Sequence, residues 1–397
     1  MFGKAVLAAG FAALIFAGAA RAAEEGVTAS AIKIGVHTAL TGVASFVGQG
    51  GKVGIDAAVA EINANGGVNG RRLEVSIIDD KGTPDGGVAA VRRLVDDQEV
   101  FAVFGAGPSG STVAVIPYFM QTGVPYFVSF ASDPRVLEKF APNIFSGATV
   151  PQQEAVQYYA DFLSRNIKAK KVAMMVCDQG HCTSAAPKMT KLLKSAGVTV
   201  SRSNYNSGDT DFTGQIEQIK AAKPDAIFLL GLATDEGRII PQIRRSGLSV
   251  PLVTDVSGAD LTVLRLAGAA AEGYYTFWIG GSQFYDDNTG EMAKFLRSLD
   301  ANKIDRPANT PNLYTLMAYA DVYVLAEAIR AAGKDLTREG LLKSLNNIRD
   351  FVGGKTPEWS YAAALGYPRS FTPEDHKGTK GIQAVVVKGG SFKAVAD

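Results

Sequence analysis

Residues 32–80 read IKIGVHTALTGVASFVGQGGKVGIDAAVAEINANGGVNGRRLEVSIIDD, and their pattern is the strongest structural signal in the chain. The β-branched start, 32–36, predicts a short strand. Apolar residues at helical spacing predict a helix over 51–63, which the glycines of NANGG end. The alternating segment 73–78 predicts a second strand. A strand–helix–strand unit of this kind is typical of a parallel sheet with helices on its faces.

The same alternation continues along the chain. Further strands are predicted at 100–104 and 124–129, each after a helical segment. The pattern restarts after residue 151, and the strands predicted there are 171–176, 198–201, 226–230 and 252–254. The sequence therefore predicts an α/β protein with two open, parallel-sheet, Rossmann-like lobes in tandem.

The last part of the chain, 275–397, holds two predicted helices and a final strand pair. These are too few strands for a third parallel-sheet domain, so we expect this part to complete both lobes across a multi-crossing hinge. This interpretation assigns 24–145 and 276–350 to an N-terminal lobe. It assigns 146–275 and 351–397 to a C-terminal lobe.

The composition of the 397-residue chain excludes several classes of protein. Its residues are 47% hydrophobic and 20% charged, which is typical of a globular fold. It has 40 Lys and Arg against 39 Asp and Glu, for a net charge of +1. Because there is no basic excess, we expect no nucleic-acid partner. We also expect a monomer.

The segment 1–23 has the features of a secretory signal peptide. Lys4 precedes an apolar run over 5–20, and small residues follow that run. A transmembrane anchor is the alternative, but such a span needs about 20 apolar residues. We therefore expect export from the cytosol, with cleavage near Ala22 or Ala23.

The two cysteines, Cys177 and Cys182, lie in the segment CDQGHC. In an oxidising compartment a disulfide between them is the favoured interpretation. A reactive thiol, or a metal site that uses His181, is the alternative. Because only three soft ligands are present here and zinc usually takes four, we predict no metal site.

The segment GAGPSG at 105–110 matches the G-x-G-x-x-G pattern of dinucleotide-binding proteins, and Asp133 lies near the expected position of a ribose-binding acid. The motif follows the third strand instead of the first, and Pro108 interrupts its turn. An exported protein is also separated from nicotinamide pools. We therefore predict no cofactor.

The same loop suits a smaller anion. Residues 109–112 would lie at the N-terminus of a helix, where free N–H groups and the helix dipole favour a carboxylate. The hydroxyls of Ser111 and Thr112 are further donors. An ordinary helix cap without a ligand is the alternative. Ser132, which follows the next strand, is a second hydroxyl at this edge of the sheet.

An exported hydrolase that uses Asp79, Asp178 or His181 is a competing hypothesis. The sequence has three histidines and contains no G-x-S-x-G, H-E-x-x-H or P-loop motif. The residues alone therefore give little support to an enzyme.

Five stretches resemble, in order and spacing, the leucine/isoleucine/valine-binding type of periplasmic substrate-binding protein. They are 32–80, VFAVFGAGPSGST at 100–112, TGVPYFVSFASDP at 122–134, KPDAIFLLG at 223–231 and AAAEGYYT at 269–276. The resemblance covers essentially all of the mature chain. It implies a type I periplasmic binding fold with three hinge crossings. It also implies a receptor that delivers its small ligand to the membrane permease of an ATP-binding-cassette importer.

Position by position, the resemblance implies ligand contacts on the first lobe. Ser109 matches the family's serine that binds the ligand α-carboxylate. Ser132 matches a hydroxyl residue after the next strand, with Phe130 and Ala131 beside it. Phe46 falls near an aromatic residue that covers the ligand in amino-acid binders.

The second lobe departs from the family pattern. A ligand-contacting tyrosine falls near Cys182, and another aromatic residue is replaced near Leu232 and Ala233. The acid that pairs with the ligand ammonium falls near Asp255 and Val256, which makes Asp255 a shifted candidate partner. If Asp255 does not reach the cleft, we expect a carboxylate without an amine, such as an aromatic or aliphatic acid. Amino acid and aromatic acid both stay open. Transport is the favoured role, and a binding module of a sensor system is the alternative.

Overall fold

The computed structural model describes residues 24–147, 150, 152–279, 291–307, 310–351, 353, 368–379 and 381–395. The predicted signal peptide, 1–23, lies outside these residues. Within the described ranges, no helix combines the length and the hydropathy that a membrane crossing requires.

Twelve strands and eleven helices are described. The strands are β1 (Ala31–Thr38), β2 (Arg72–Asp79), β3 (Ala102–Gly105), β4 (Tyr126–Val128), β5 (Ile144–Ser146), β6 (Lys171–Cys177), β7 (Thr199–Tyr205), β8 (Ala226–Leu230), β9 (Leu252–Thr254), β10 (Tyr275–Trp278), β11 (Gln383–Lys388) and β12 (Ser391–Ala394). The helices are α1 (Ser45–Ala64), α2 (Pro84–Arg92), α3 (Ser109–Thr122), α4 (Gln152–Asp161), α5 (Gly180–Ser195), α6 (Thr213–Ala222), α7 (Ala233–Arg245), α8 (Leu261–Ala267), α9 (Glu291–Ala301), α10 (Leu313–Ala332) and α11 (Arg338–Leu345).

The strands form two sheets, one in each lobe. The first sheet has the order β2-β1-β3-β4-β5, and all its strands are parallel. The second has the order β12-β11-β10-β9-β8-β6-β7, in which β11 runs antiparallel to both neighbours. The predicted α/β architecture of two parallel-sheet lobes is therefore confirmed.

The register of each sheet brings the strand ends together. In the first lobe Thr38 pairs with Asp79, and Gly105 pairs with Val128. In the second lobe the strands β6, β8 and β9 also end side by side. Because ligands of open α/β sheets bind beyond the carboxyl ends of the strands, the loops that follow these ends are the place to look for a site.

The chain changes lobe three times. It leaves the first lobe after Ser146, returns to it after Trp278, and enters the second sheet again at Gln383. Two details differ from the division drawn from the sequence. Strand β10 joins the second sheet although the boundary fell at 275, and residues 368–379 pack on the first lobe, where Lys377 pairs with Ser146. Strand pairing over long sequence distances, which local periodicity does not report, causes both differences.

Helices α1 and α10 pack closely in the first lobe, and this contact places the start of α10 beside the strand ends. Gly54 allows the close approach, because a Cβ there would lie 2.1 Å from the Thr315 carbonyl oxygen. The buried Glu61 accepts hydrogen bonds from Tyr319 of α10 and Ser298 of α9. The returning chain is therefore tied into the first lobe by packing and by buried polar contacts.

Candidate ligand-binding cleft

A small cavity of about 50 Å³ lies between the two lobes. Its first-lobe wall consists of Val47, Pro108, Ser109, Phe130, Ser132, Leu313, Tyr314 and Met317. Its second-lobe wall consists of His181, Leu232, Val256, Ser257 and Ile279. Three predicted ligand contacts, Ser109, Phe130 and Ser132, therefore border one common space. Most of the wall is apolar, and its polar groups are few.

The N-terminus of α3 faces this cavity. Pro108 adopts an extended conformation with ψ 162°, so the helix begins abruptly at Ser109, and no side chain caps it. The first N–H groups of a helix have no partner within the helix, and the dipole adds partial positive charge there. Ser109 lies at the cavity wall together with these groups. The geometry suits a carboxylate.

The hydroxyls of Ser111 and Thr112 form hydrogen bonds within the loop that joins β3 to α3. Ser111 is fully buried, and its hydroxyl donates to the Pro108 carbonyl oxygen at 3.2 Å. The Thr112 hydroxyl donates to the Gly107 carbonyl oxygen at 3.3 Å. Both side chains hold the turn from β3 into α3, and neither lines the described cavity.

Three aromatic rings form one side of the cleft. Tyr314 packs edge-on against Phe130, with ring centroids 5.1 Å apart, and against Phe46 at 5.7 Å. Phe130 and Tyr314 line the cavity, whereas Phe46 lies behind Tyr314. Gly51 leaves room for the Phe130 ring, since a Cβ there would lie 2.7 Å from it. Sequence reasoning placed Tyr314 at the start of a helix but missed its place in the site.

The residues beside Ser132 take other roles. Ala131 borders a separate cavity of about 540 Å³, to which Ser132 also contributes. The Asp133 carboxylate binds Arg135, with its two oxygens 2.9 and 2.7 Å from the guanidinium nitrogens. The Asp133 side chain is therefore paired with Arg135, two residues along the chain.

The predicted disulfide joins Cys177 at the end of β6 to Cys182 in the first turn of α5. Both cysteines are fully buried, and it is the intervening His181 that lines the cavity. The His181 Nε2–H donates to the Gly231 carbonyl oxygen at 3.2 Å. Burial lowers the pKa of His181, so its imidazole is neutral at pH 7. With both sulfurs in the disulfide, this cluster offers no thiolate to a metal.

Asp255 does not line the cavity. Its carboxylate is fully buried and accepts a hydrogen bond from the Ser257 N–H at 2.8 Å, which caps the short turn Val256–Ala259. The next two residues, Val256 and Ser257, line the cavity instead. Ala233 behaves in the same way: it is fully buried as the first residue of α7, and the preceding Leu232 faces the ligand space.

Two contacts join the lobes across the cleft. The Asp260 carboxylate, which caps α8 in the second lobe, also accepts a hydrogen bond from the Leu313 N–H of the first lobe at 2.9 Å. The Arg265 guanidinium of α8 also donates to the Pro311 carbonyl oxygen of the first lobe at 3.4 Å. Both contacts meet the N-terminus of α10. The lobes are therefore in a closed arrangement over the cavity.

Two parallel-sheet lobes, three chain crossings and a closed cavity between them define the class of two-lobed ligand-binding proteins. A family model described as periplasmic binding protein matches residues 31–391. The chain belongs to this family, and the resemblance to type I periplasmic binding proteins is confirmed. Members of the family bind substrates and do not transform them, so the chain is not an enzyme. The family also implies an exported, periplasmic protein.

Known relatives agree with this assignment. A Leu/Ile/Val-binding protein homolog 2 of Brucella abortus is 28% identical over 309 residues, which is 77% of this chain and 79% of that protein. The branched-chain amino acid binding protein LivJ of Streptococcus pneumoniae, solved with isoleucine, has a TM-score of 0.76 and 25% identity, covering 92% of this chain and 98% of that one. A solute-binding protein of R. palustris, solved with benzoate, has a TM-score of 0.76 and 18% identity, covering 93% and 98%.

Proposed function

We propose that this protein is a periplasmic receptor that captures a small carboxylate and delivers it to the permease of an ATP-binding-cassette importer. The ligand is a branched-chain or neutral amino acid, or an aromatic acid. One observation carries this proposal: the uncapped N-terminus of α3, with Ser109, lies at the wall of a cavity that both lobes enclose. Such a helix end binds carboxylates.

The ligand docks first on the first lobe. Its carboxylate accepts hydrogen bonds from the α3 N-terminus and from the hydroxyls of Ser109 and Ser132. The second lobe then closes over it through His181 and Val256, and the hinge crossings permit the rotation. Ligand contacts to both lobes exist only in the closed state, so binding shifts the population toward closure. The permease recognises the closed pair of lobe surfaces.

The relatives support the class of ligand without choosing within it. A relative named for leucine, isoleucine and valine matches over most of this chain. The same fold holds isoleucine in one neighbour and benzoate in another. Both ligands carry one carboxylate on an apolar body. In this proposal the segment 1–23 is a signal peptide cleaved near Ala22 or Ala23, and the mature receptor is a monomer.

The decisive experiment is a thermal-shift screen of the purified mature protein with amino acids, aromatic acids and dicarboxylates. A ligand that binds the native state raises the apparent melting temperature in proportion to the logarithm of its concentration over Kd. Calorimetry then measures the affinity of each hit. We expect hits among compounds with one carboxylate and an apolar body. A screen in which no carboxylate raises the melting temperature contradicts the proposal.

A further inference from the structure

We propose that the preferred ligand is a carboxylate without an ammonium group, an aliphatic or aromatic monocarboxylic acid instead of an α-amino acid. This inference rests on the proposed function, because it assumes that the cavity holds a small carboxylate. It concerns the opposite wall, which faces the rest of the ligand.

The second-lobe wall is neutral. Leu232, Val256 and Ile279 present aliphatic side chains to the cavity. His181 is uncharged because burial lowers its pKa, and its Nε2–H already donates to a backbone carbonyl. Ser257 adds a hydroxyl, which is also uncharged. Among the described residues that line this wall, none would offer a ligand ammonium an anionic partner.

The carboxylates of the acidic residues near this wall accept hydrogen bonds from backbone N–H groups. Asp255 binds the Ser257 N–H, and Asp260 binds the N–H groups of Leu313 and Thr262. Both carboxylates are fully buried. Within the described part of the chain, no aspartate or glutamate lines the cavity.

Two further carboxyl groups lie on α7, behind Leu232. The Asp235 Oδ1 accepts a hydrogen bond from the Gly208 N–H at 3.1 Å. Glu236 is fully buried against Gly258, with Oε2 3.0 Å from the position of a Cβ there. Burial, together with nearby Asp255 and Asp235, raises the pKa of Glu236 well above its usual value. Burial therefore favours the uncharged form of Glu236, and this residue does not line the cavity.

The energetics favour a ligand without an amine. Burying an ammonium without a counter-ion has a large desolvation cost, which a neutral apolar wall does not offset. An alkyl or phenyl group in the same position gains free energy from contact with Phe130, Tyr314 and the aliphatic side chains. The carboxylate end needs no cationic side chain, because the α3 N-terminus supplies partial positive charge.

Matched ligand pairs that differ only in the ammonium group test the inference. The pairs are 4-methylpentanoate with leucine, and 3-phenylpropanoate with phenylalanine, each titrated calorimetrically into the wild-type mature protein at pH 7.5. We expect the acid without the amine to bind at least about tenfold tighter in the pair that fits the cavity. Equal or tighter binding of the amino acid overturns the inference and leaves the proposed function intact.

Charge at the second-lobe wall is then changed directly. Val256→Asp places a carboxylate at the cavity, and Val256→Asn is the matched neutral control of the same shape. We expect the Asp variant, but not the Asn variant, to shift the preference toward the amino acid of each pair. An identical shift in both variants contradicts the electrostatic explanation. Circular dichroism establishes that each variant is folded, and the wild-type titrations decide the inference even where a variant is not.

The two proposals fail in different ways. If none of the four ligands binds and the wider screen also finds no carboxylate, the carboxylate receptor itself is refuted. If only dicarboxylates bind, the receptor stands and the apolar monocarboxylate is refuted.

Discussion

The Asp260 carboxylate of the second lobe accepts a hydrogen bond from the backbone N–H of Leu313 in the first lobe, at 2.9 Å. Leu313 is the first residue of α10, whose N-terminus carries partial positive charge. Because this bond joins the two lobes, we expect it to break when the lobes separate. It therefore contributes to the free energy of closure and, through it, to ligand affinity.

Asp260→Ala should weaken ligand binding by about 1–2 kcal/mol, which is roughly a five- to thirtyfold loss of affinity. Calorimetry measures the affinity, and small-angle scattering measures whether the liganded form is less compact. Asp211→Ala is the matched control, since Asp211 also caps a helix start by accepting from the Thr213 N–H but lies exposed on the second lobe. If both variants lose the same affinity, the loss in Asp260→Ala comes from the missing helix cap and not from the missing contact between the lobes.

Tyr314→Phe should weaken binding by about 0.5–1.5 kcal/mol, because it removes the phenol hydroxyl at the cavity wall and keeps the ring packing against Phe130. Tyr323→Phe is the control on the same helix, where the lost partner is Glu61 and the expected effect is on stability. A double-mutant cycle with Ser257→Ala measures the coupling. Strictly additive effects on affinity would argue against a contact across the cleft.

Ser109→Ala should weaken binding by about 1–3 kcal/mol if its hydroxyl contacts a buried carboxylate. Calorimetry with the best ligand of the thermal-shift screen measures the change. Ser195→Ala, at the exposed end of α5, serves as the control. An unchanged affinity for Ser109→Ala removes this hydroxyl from the ligand site.

Glu236→Gln should stabilise the protein, and the gain should grow with pH. In the folded state burial raises the pKa of Glu236 well above 4.5, so folding retains a proton that the unfolded chain releases above that pH. The wild type therefore loses stability relative to the variant as pH rises above the unfolded pKa. Urea unfolding at pH 4, 6 and 8 measures the difference. A gain that is the same at all three values would point to packing instead of ionisation.

Removal of the disulfide should lower the free energy of unfolding by about 2 kcal/mol, the value expected when a cross-link closes a loop this short. Cys177 and Cys182 are separated by 5 in sequence. Urea unfolding of the Cys177→Ser, Cys182→Ser double variant measures the loss. Because His181 lies between the cysteines, ligand affinity should fall as well. Two free thiols in the denatured, unreduced wild type would contradict the disulfide.

The sequence indicated the first-lobe residues that line the cavity. In the second lobe, some of the indicated residues are buried and a neighbouring residue lines the cavity. Ser109 and Ser132 follow directly from strand ends and line the cavity as expected. In the second lobe the cavity is lined by Leu232 and Val256, which the resemblance indicated together with the buried Ala233 and Asp255, and by His181, which adjoins Cys182. In a tight turn after a strand, successive side chains point in different directions. An error of one position in matching the sequence to the family therefore replaces a residue that lines the cavity with one that is buried.

Local patterning was sufficient to predict the two α/β lobes and a helix start suited to a carboxylate, because periodicity, glycine stops and strand ends are short-range properties. The family followed from the resemblance of five stretches of sequence. The tertiary structure alone decided that Tyr314 joins Phe130 in the cleft and that Asp255 turns away from it. These facts depend on how distant segments meet when the lobes close. That arrangement is set by packing across the whole chain, and no local stretch of sequence encodes it.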